Sequence, residues 1–149
     1  MVGSSEISEE RYWSYFEMFV GCPAGWEEYA MNCYGFFKDK KDWNTAKMYC
    51  ESVDARLVAI DNEEENNWIF DRMKYHKDEV NDWWTEGSDE GSEGTWYWHH
   101  SNSRMIYTDW NLYLGEPNGK QRENCLLLRL ELKWIDCPCS YESKFICEK

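Results

Sequence analysis

Apolar side chains recur at helical spacing in two segments of this chain. The first segment follows Asp42, a residue type that caps helix starts, and carries Trp43, Ala46, Cys50 and Val53. The second follows Asn62, with Glu65 three residues later as in a capping box, and ends near His76. Its apolar face carries Trp68, Ile69 and Met73. The pattern predicts two amphipathic helices, separated by a short buried strand over residues 57–60.

Other segments show the pattern of strands. Residues 125–134 alternate between polar and apolar side chains, which predicts a strand with one buried face formed by Leu126, Leu128, Leu130, Leu132 and Trp134. Residues 144–147 predict a final strand. Near the start, Cys22 and Cys33 flank a short connection, which predicts a hairpin whose ends are joined by a local disulfide. Two helices together with these strands predict an α+β fold.

The stretch over residues 81–119 has no clear period. It mixes Gly, Asp, Ser and Asn with aromatic residues, and residues 95–98 are its only strong strand candidate. A long irregular segment in a compact domain is usually functional or disordered, and the aromatic residues argue against disorder. We therefore expect the function of the chain to lie in this segment.

The first 21 residues differ from the rest. Ser4 or Ser5 is placed to cap a helix, and an aromatic stretch runs from Tyr12 to Phe19. We interpret residues 1–21 as an N-terminal extension, with helix expected, which either packs on the domain or presents its aromatic residues to a partner chain. Residues 22–149 then form one domain, because 149 residues would be short for two.

Charge and cysteine content narrow the functional classes. With 29 acidic and 16 basic residues, the net charge is −13, and no basic cluster is present, so we expect no nucleic-acid partner. The sequence has no apolar run that predicts a membrane span and no nucleophile elbow or zinc motif that predicts an enzyme. Seven cysteines indicate an oxidising compartment, so we expect a secreted, extracellular protein.

A series of motifs then appears in a fixed order. The motifs are Ser92-Glu93-Gly94-Thr95-Trp96, Glu116-Pro117-Asn118, Glu123-Asn124-Cys125, Trp134-x-Asp136-x-x-Cys139 and Phe145-Ile146-Cys147-Glu148. Over residues 22–149, this series resembles the C-type lectin-like domain in its long form. The resemblance implies two helices, small antiparallel sheets and a long irregular loop region. It also implies three disulfides, Cys22–Cys33, Cys50–Cys147 and Cys125–Cys139.

The resemblance implies a Ca²⁺ site that also holds a sugar. Its metal ligands are Glu116, Asn118, Glu123 and Asp136, whose carboxylate and amide oxygens are those that calcium prefers. A cis Glu116–Pro117 bond is implied, and the Glu-x-Asn order is that of members that bind mannose, glucose or N-acetylhexosamine. Sugar hydroxyls would contact Glu116, Asn118 and Glu123, and the aromatic candidates for stacking on the sugar are Trp110 and Tyr113.

The chain departs from the family pattern at two positions near the site. Ile135 replaces an asparagine that binds both metal and sugar in mannose-type members, which leaves either a weaker sugar site or a domain that no longer binds sugar. Glu86 puts a carboxylate in a segment that is apolar in the family. A second calcium position is implied by Asp89, Glu93 and Asn124.

Two functions from different classes remain open. The first is calcium-dependent carbohydrate binding in glycan or microbial recognition, as in innate immunity. The alternative is a lectin-like domain that binds protein or mineral surfaces without sugar specificity. Cys137 has no partner in the implied disulfides, so we also predict a disulfide-linked dimer through a thiol near the surface.

Overall fold

The computed structural model describes residues 21–119 and 122–149. The helix predicted in the N-terminal extension therefore lies outside the described residues. Nine strands, two α-helices and one 3-10 turn lie wholly within these described residues, in this order: β1 (Glu27–Tyr29), β2 (Asn32–Lys41), α1 (Trp43–Ser52), β3 (Arg56–Leu57), α2 (Glu63–Tyr75), β4 (Asp82–Ser88), β5 (Tyr97–Trp98), β6 (Ser103–Arg104), the 3-10 turn (Leu112–Leu114), β7 (Cys125–Arg129), β8 (Lys133–Cys137) and β9 (Ser143–Glu148). The predicted α+β class is confirmed.

The described strands join in one mixed sheet, rather than in separate antiparallel sheets. The order is β1-β2-β9-β4-β5-β6, with β3 on β9 and with β7 between β4 and β8. The last strand, β9, runs antiparallel to β2 and parallel to β4. The C-terminal strand therefore lies at the centre of the sheet and joins the hairpin of β1 and β2 to the strands that carry the long loops.

Both helices begin where the sequence predicts. The Asp42 carboxylate accepts a hydrogen bond from the Thr45 N–H at 2.8 Å, and the Asn62 side chain accepts one from the Glu65 N–H at the same distance. Glu65 in turn accepts a hydrogen bond from the Asp61 N–H at 2.8 Å. These caps satisfy N–H groups that have no partner inside a helix. Helix α2 ends at Tyr75, as expected.

Strand β4 is the main element that the periodicity does not predict. Every residue of Asp82–Ser88 is buried, and the strand pairs with β5, β7 and β9. A strand covered on both faces shows no alternation, so the description of residues 81–119 as irregular with one strand candidate is wrong. The strand predicted over residues 57–60 is also shorter than expected, because β3 ends at Leu57.

Residues 125–134 form a hairpin and not one strand. Strand β7 ends at Arg129, a turn follows, and Lys133 begins β8 with a left-handed backbone, φ 62°. The two strands pair antiparallel, with Leu126 opposite Asp136 and Leu127 opposite Ile135. The alternation continues across the turn by coincidence of spacing, which is why the sequence pattern does not reveal the break.

Two apolar clusters form the core, one with each helix. Helix α2 contributes to the first, which includes Tyr34, Ile69, Trp83, Trp98, Leu126 and Trp134. Helix α1 contributes to the second, which includes Trp43, Leu57, Trp84, Leu127, Ile135 and Phe145. Neighbouring residues of one strand alternate between the clusters, so the clusters cover opposite faces of the sheet. No helix of the described part of the chain has the length and apolar character to cross a bilayer.

The disulfides implied by the family resemblance are present. Cys22 is bonded to Cys33, Cys50 to Cys147 and Cys125 to Cys139. The first disulfide joins the segment before β1 to β2. The second joins α1 to β9. The third joins the start of β7 to the loop after β8, directly beside the motifs that carry the candidate site.

Candidate functional site

A short loop with the Glu-Pro-Asn triplet is held against strand β8 by Asn111. The Asn111 N–H donates to the Trp134 carbonyl at 3.0 Å, and the Asn111 carbonyl accepts from the Glu116 N–H at 3.0 Å. The Asn111 side chain accepts from the Leu114 N–H at 3.0 Å and so caps the 3-10 turn. Sequence reasoning overlooks Asn111 as a site residue, although an asparagine before a short apolar turn is a cap signal.

Hydrogen bonds connect the triplet directly to Asp136 on β8. The two carboxylate oxygens of Asp136 accept from the backbone N–H groups of Asn118 and Gly119, at 3.1 and 2.8 Å. The Asp136 N–H donates to a Glu116 carboxylate oxygen at 3.3 Å. The Asn118 side-chain amide donates to the other Glu116 oxygen at 3.1 Å. Three of the predicted metal ligands therefore lie together, and the Glu116–Pro117 bond is cis.

Glu123 completes the predicted set. Its side chain occupies the space beside Gly119, where an added Cβ would overlap it. Partial burial, together with the charge of Asp136, raises the pKa of the Glu123 carboxyl. Burial and the contact with the Asp136 carboxyl raise the pKa of Glu116 to about 7. Glu116 and Asp136 therefore lie side by side, and Glu123 is near enough for the charge of Asp136 to raise its pKa, although the charge of Arg122 opposes that effect.

The chemistry of this donor set fits a calcium ion. The side chains of Glu116, Asn118, Glu123 and Asp136 offer only hard oxygen ligands, and a divalent cation would compensate the negative charge of the three carboxylates. The arrangement is not a finished coordination shell, since no three Asp, Glu, His or Cys side chains of the described residues are grouped for a metal. Each Asp136 oxygen accepts one backbone N–H hydrogen bond, which leaves a second lone pair on each oxygen for a cation.

The residues implied for a second calcium position also lie close together. The Asp89 N–H donates to the Asn124 carbonyl at 3.1 Å, and one Asp89 oxygen accepts from the Gly94 N–H at 2.9 Å. The pKa of Asp89 is raised by burial, and the charge of Asp136 adds to the effect, while a hydrogen bond with Glu93 opposes it. The second Asp89 oxygen is buried without a hydrogen-bond donor from the described residues. An additional cation would satisfy this oxygen.

The two aromatic candidates have different environments. Trp110 is half-buried and packs edge-on against Trp96 and Trp134, at centroid distances of 4.8 and 6.0 Å. Tyr113 is 97% exposed. Tyr113 is therefore free to contact a ligand, whereas most of Trp110 supports the core and only part of its surface is open.

Ile135 is 7% exposed and packs in the second apolar cluster, with Leu127 directly opposite on β7. The family asparagine is therefore replaced by a side chain that belongs to the core. The oxygen and the amide donor of that asparagine are missing, so the candidate site consists of Glu116, Asn118, Glu123 and Asp136.

The expected surface position of Cys137 is wrong. Its thiol is free, but the residue is only 8% exposed and packs in the second cluster beside the Cys125–Cys139 disulfide. Burial, reinforced by the nearby Glu123 charge, raises the pKa of the Cys137 thiol to about 12. A buried and protonated thiol is a poor nucleophile, so the structure gives no support for a disulfide-linked dimer through Cys137.

Glu86 is a buried carboxylate on β4, in a segment that is apolar in the family pattern. It is 1% exposed, and neither oxygen has a hydrogen-bond partner in good geometry among the described residues, although the N–H groups of Leu57 and His100 lie nearby. The His99 Nδ1 lies 3.7 Å from one oxygen. Burial raises the pKa of Glu86 to about 7, against the opposing charge of Lys47.

Comparisons with known proteins agree with this architecture. The chain is 33% identical to a perlucin-like protein of Mytilus galloprovincialis over 131 residues, which cover 86% of the chain and 83% of that protein. It is similar to the carbohydrate-recognition domain of the mouse scavenger receptor C-type lectin (31% identity, TM-score 0.76), covering 86% of this chain and 95% of the other.

A second solved structure is similar to a comparable degree. It is the C-type carbohydrate-recognition domain of cow CD23 in the presence of a GlcNAc2Man3 oligosaccharide, with 30% identity, a TM-score of 0.75 and coverage of 87% of this chain and 95% of the other. The family model of the lectin C-type domain matches residues 39–149. With that match over most of its length and a shared fold, the chain belongs to the C-type lectin domain family.

Proposed function

We propose that the domain binds Ca²⁺ through Glu116, Asn118, Glu123 and Asp136, and that this site recognises a sugar of the mannose, glucose or N-acetylhexosamine class. The observation that carries the proposal is the hydrogen-bonded contact of Glu116, Asn118 and Asp136, which brings together two motifs almost twenty residues apart. The setting would be extracellular, in recognition of glycans or microbial surfaces, and the three disulfides agree with such a compartment.

The side chains have distinct parts in this proposal. When bound, calcium supplies a positive centre that accepts hydroxyl oxygens as ligands. The carboxylates of Glu116 and Glu123 accept hydrogen bonds from the sugar hydroxyls, and the Asn118 amide donates one. Tyr113 offers an open aromatic face. Because Ile135 contributes neither an oxygen nor a donor, the site would bind sugar less tightly than a complete mannose-type site, by the value of about one hydrogen bond or about 1 kcal/mol.

Retention on immobilised sugar tests the proposal. Purified protein should be retained on mannose or N-acetylglucosamine resin in calcium and should elute with EDTA. Glu116→Gln should abolish retention, because one carboxylate ligand and acceptor is lost. Glu142→Gln is the same chemical change at an exposed residue directly before β9, and this variant should still be retained. Failure of the wild-type protein to bind either resin would favour a domain that binds protein or mineral surfaces without sugar specificity.

A further inference from the structure

Three consecutive apolar side chains are exposed beside the proposed calcium site. Leu112 is 80% exposed, Tyr113 97% and Leu114 45%. The turn that carries them is closed by a hydrogen bond from the Gly115 N–H to the Leu112 carbonyl at 3.1 Å, and Asn111 caps it. Backbone hydrogen bonds fix this turn without burying the three side chains. Their apolar character therefore contributes little to folding, and it is typical of a binding surface.

A groove of about 360 Å³ adjoins the turn. Trp110, Leu112 and Tyr113 line it on the side of the turn, and Glu131 and Lys133 line it on the side of the β7–β8 hairpin. The Lys133 ammonium lies 3.4 Å from an Asp109 carboxylate oxygen, also in the lining. The groove therefore combines an aromatic and aliphatic wall with a wall of charged hydrogen-bonding groups.

The turn connects this groove to the proposed sugar site. The Asn118 side-chain amide donates to the Leu114 carbonyl at 3.3 Å and to a Glu116 carboxylate oxygen at 3.1 Å. One side of the turn thus contacts the predicted ligands, and Leu112 and Tyr113 on the same turn line the groove. A ligand that extends beyond the calcium site in this direction would meet the groove next.

We propose that this groove binds the second unit of an oligosaccharide whose first unit occupies the calcium site. The inference rests on the proposed function. A pyranose has an apolar C–H face, which suits Leu112 and Tyr113, and a hydroxyl edge, which suits Glu131 and Lys133. An acyl chain fits less well, because it would remove these charged groups from water without offering hydrogen bonds.

The test compares soluble ligands of one and two sugar units as competitors for binding to immobilised mannose in calcium. Methyl α-mannoside is the single unit, α-linked mannobiose is the double unit, and octyl α-mannoside carries an apolar tail instead. Wild-type protein should bind mannobiose about five- to tenfold more tightly than the methyl glycoside, the value of one good stacking contact. Leu112→Ala with Tyr113→Ala should remove this preference, so that mannobiose and methyl α-mannoside compete equally well.

Ile106→Ala is the matched control, because Ile106 is an apolar residue that is 98% exposed and does not line the groove. This variant should keep the preference for mannobiose. If wild-type protein binds the one- and two-unit ligands equally well, the second-unit site is wrong, although the calcium site remains supported. A larger gain with octyl α-mannoside, lost in the double variant, would overturn it in favour of an apolar aglycone. No binding of either mannoside would overturn this inference, and no retention on N-acetylglucosamine resin in addition would overturn the proposed function with it.

Discussion

A carboxylate oxygen of Glu116 lies 3.3 Å from the backbone nitrogen of Asp136, from which it accepts a hydrogen bond. The two residues are separated by a loop and a hairpin strand, and this contact brings the Glu-Pro-Asn triplet to β8. It also places two carboxyl groups side by side, which raises the pKa of Glu116 in addition to the effect of burial. The proposed calcium site is the consequence of this contact.

Calcium should stabilise the domain. A ligand that binds only the folded state adds about 2.7 kcal/mol at a hundredfold excess over its Kd, or roughly 5–10 °C in Tm for a domain of this size. Calcium would also relieve the repulsion among Glu116, Glu123 and Asp136. Thermal unfolding followed in calcium and in EDTA measures the difference. Superimposable curves would show that these residues do not bind the ion.

Gly119→Ala should weaken calcium binding. A Cβ at this position would overlap the Glu123 side chain, including its Cβ and Cγ, so Glu123 would have to move away from Asp136. Overpacking of this kind costs about 1–3 kcal/mol, so the calcium Kd should increase on the order of tenfold. A calcium titration of Tm in wild type and variant measures the change, and unfolding in EDTA is the control for stability. An unaltered calcium affinity would place Glu123 outside the metal site.

Cys137 should be unreactive in the native protein. Because its thiol is buried and its pKa is raised, a thiol reagent should find no accessible group until the chain is unfolded with its disulfides intact, and should then find one. Cys137→Ser should remove that signal, and both proteins should run as monomers on a non-reducing gel. A dimer band that disappears in the variant would restore the prediction of an interchain disulfide.

Glu86→Gln should change the dependence of stability on pH. The folded pKa of Glu86 is raised from its ordinary value of 4.5 to about 7, so the folded state holds this proton more tightly than the unfolded state. Ionisation of Glu86 therefore leaves the free energy of unfolding unchanged below pH 4.5, lowers it progressively between pH 4.5 and 7, and lowers it by the full amount above pH 7. Glutamine should raise the free energy of unfolding at pH 8 by about 2–3 kcal/mol relative to wild type.

The gain from Glu86→Gln should be much smaller at pH 5, as measured by urea unfolding in EDTA. Burial also raises the pKa values of Glu65 and Glu148. Both residues are present in the wild type and in the variant, so their effects cancel when the two free energies of unfolding are subtracted. Glu142→Gln, at an exposed position, should follow the wild-type curve. A gain that is equal at both pH values would show that Glu86 does not change its protonation on folding.

Local chemistry made part of this structure predictable. Asp42 and Asn62 have the side chains that cap helices, and both do so. The hairpin pattern also predicts the Cys22–Cys33 disulfide, whereas the other two disulfides and the set of Glu116, Asn118, Glu123 and Asp136 follow only from the family resemblance. Spacing alone does not bring Glu116 to Asp136, because the loop and the hairpin between them determine their distance.

The missed features depend on tertiary contacts. Strand β4 carries Asp82 and Glu86, and two acidic residues argue against a buried strand. Arg129 nevertheless forms an ion pair with Asp82 at 2.6 Å and so compensates the charge of the buried carboxylate. No comparable partner is present for Glu86 among the described residues. The sequence interpretation puts Cys137 in a loop after Trp134 and near the surface, but β8 extends to Cys137, and pairing opposite Cys125 places it in the core. Such features follow from strand pairing, which a single sequence does not reveal.

The most direct test of the central claim is a sugar titration followed by NMR, with methyl α-mannoside and methyl N-acetylglucosaminide as ligands. In calcium, wild-type protein should show saturable shifts of the amide signals of residues 113–119 and 123–136, whereas in EDTA the shifts should be absent. Glu116→Gln should abolish them in calcium, and Glu142→Gln should preserve them. Shifts of equal size in EDTA, or shifts that persist in Glu116→Gln, would contradict a calcium-dependent sugar site built on Glu116 and Asp136.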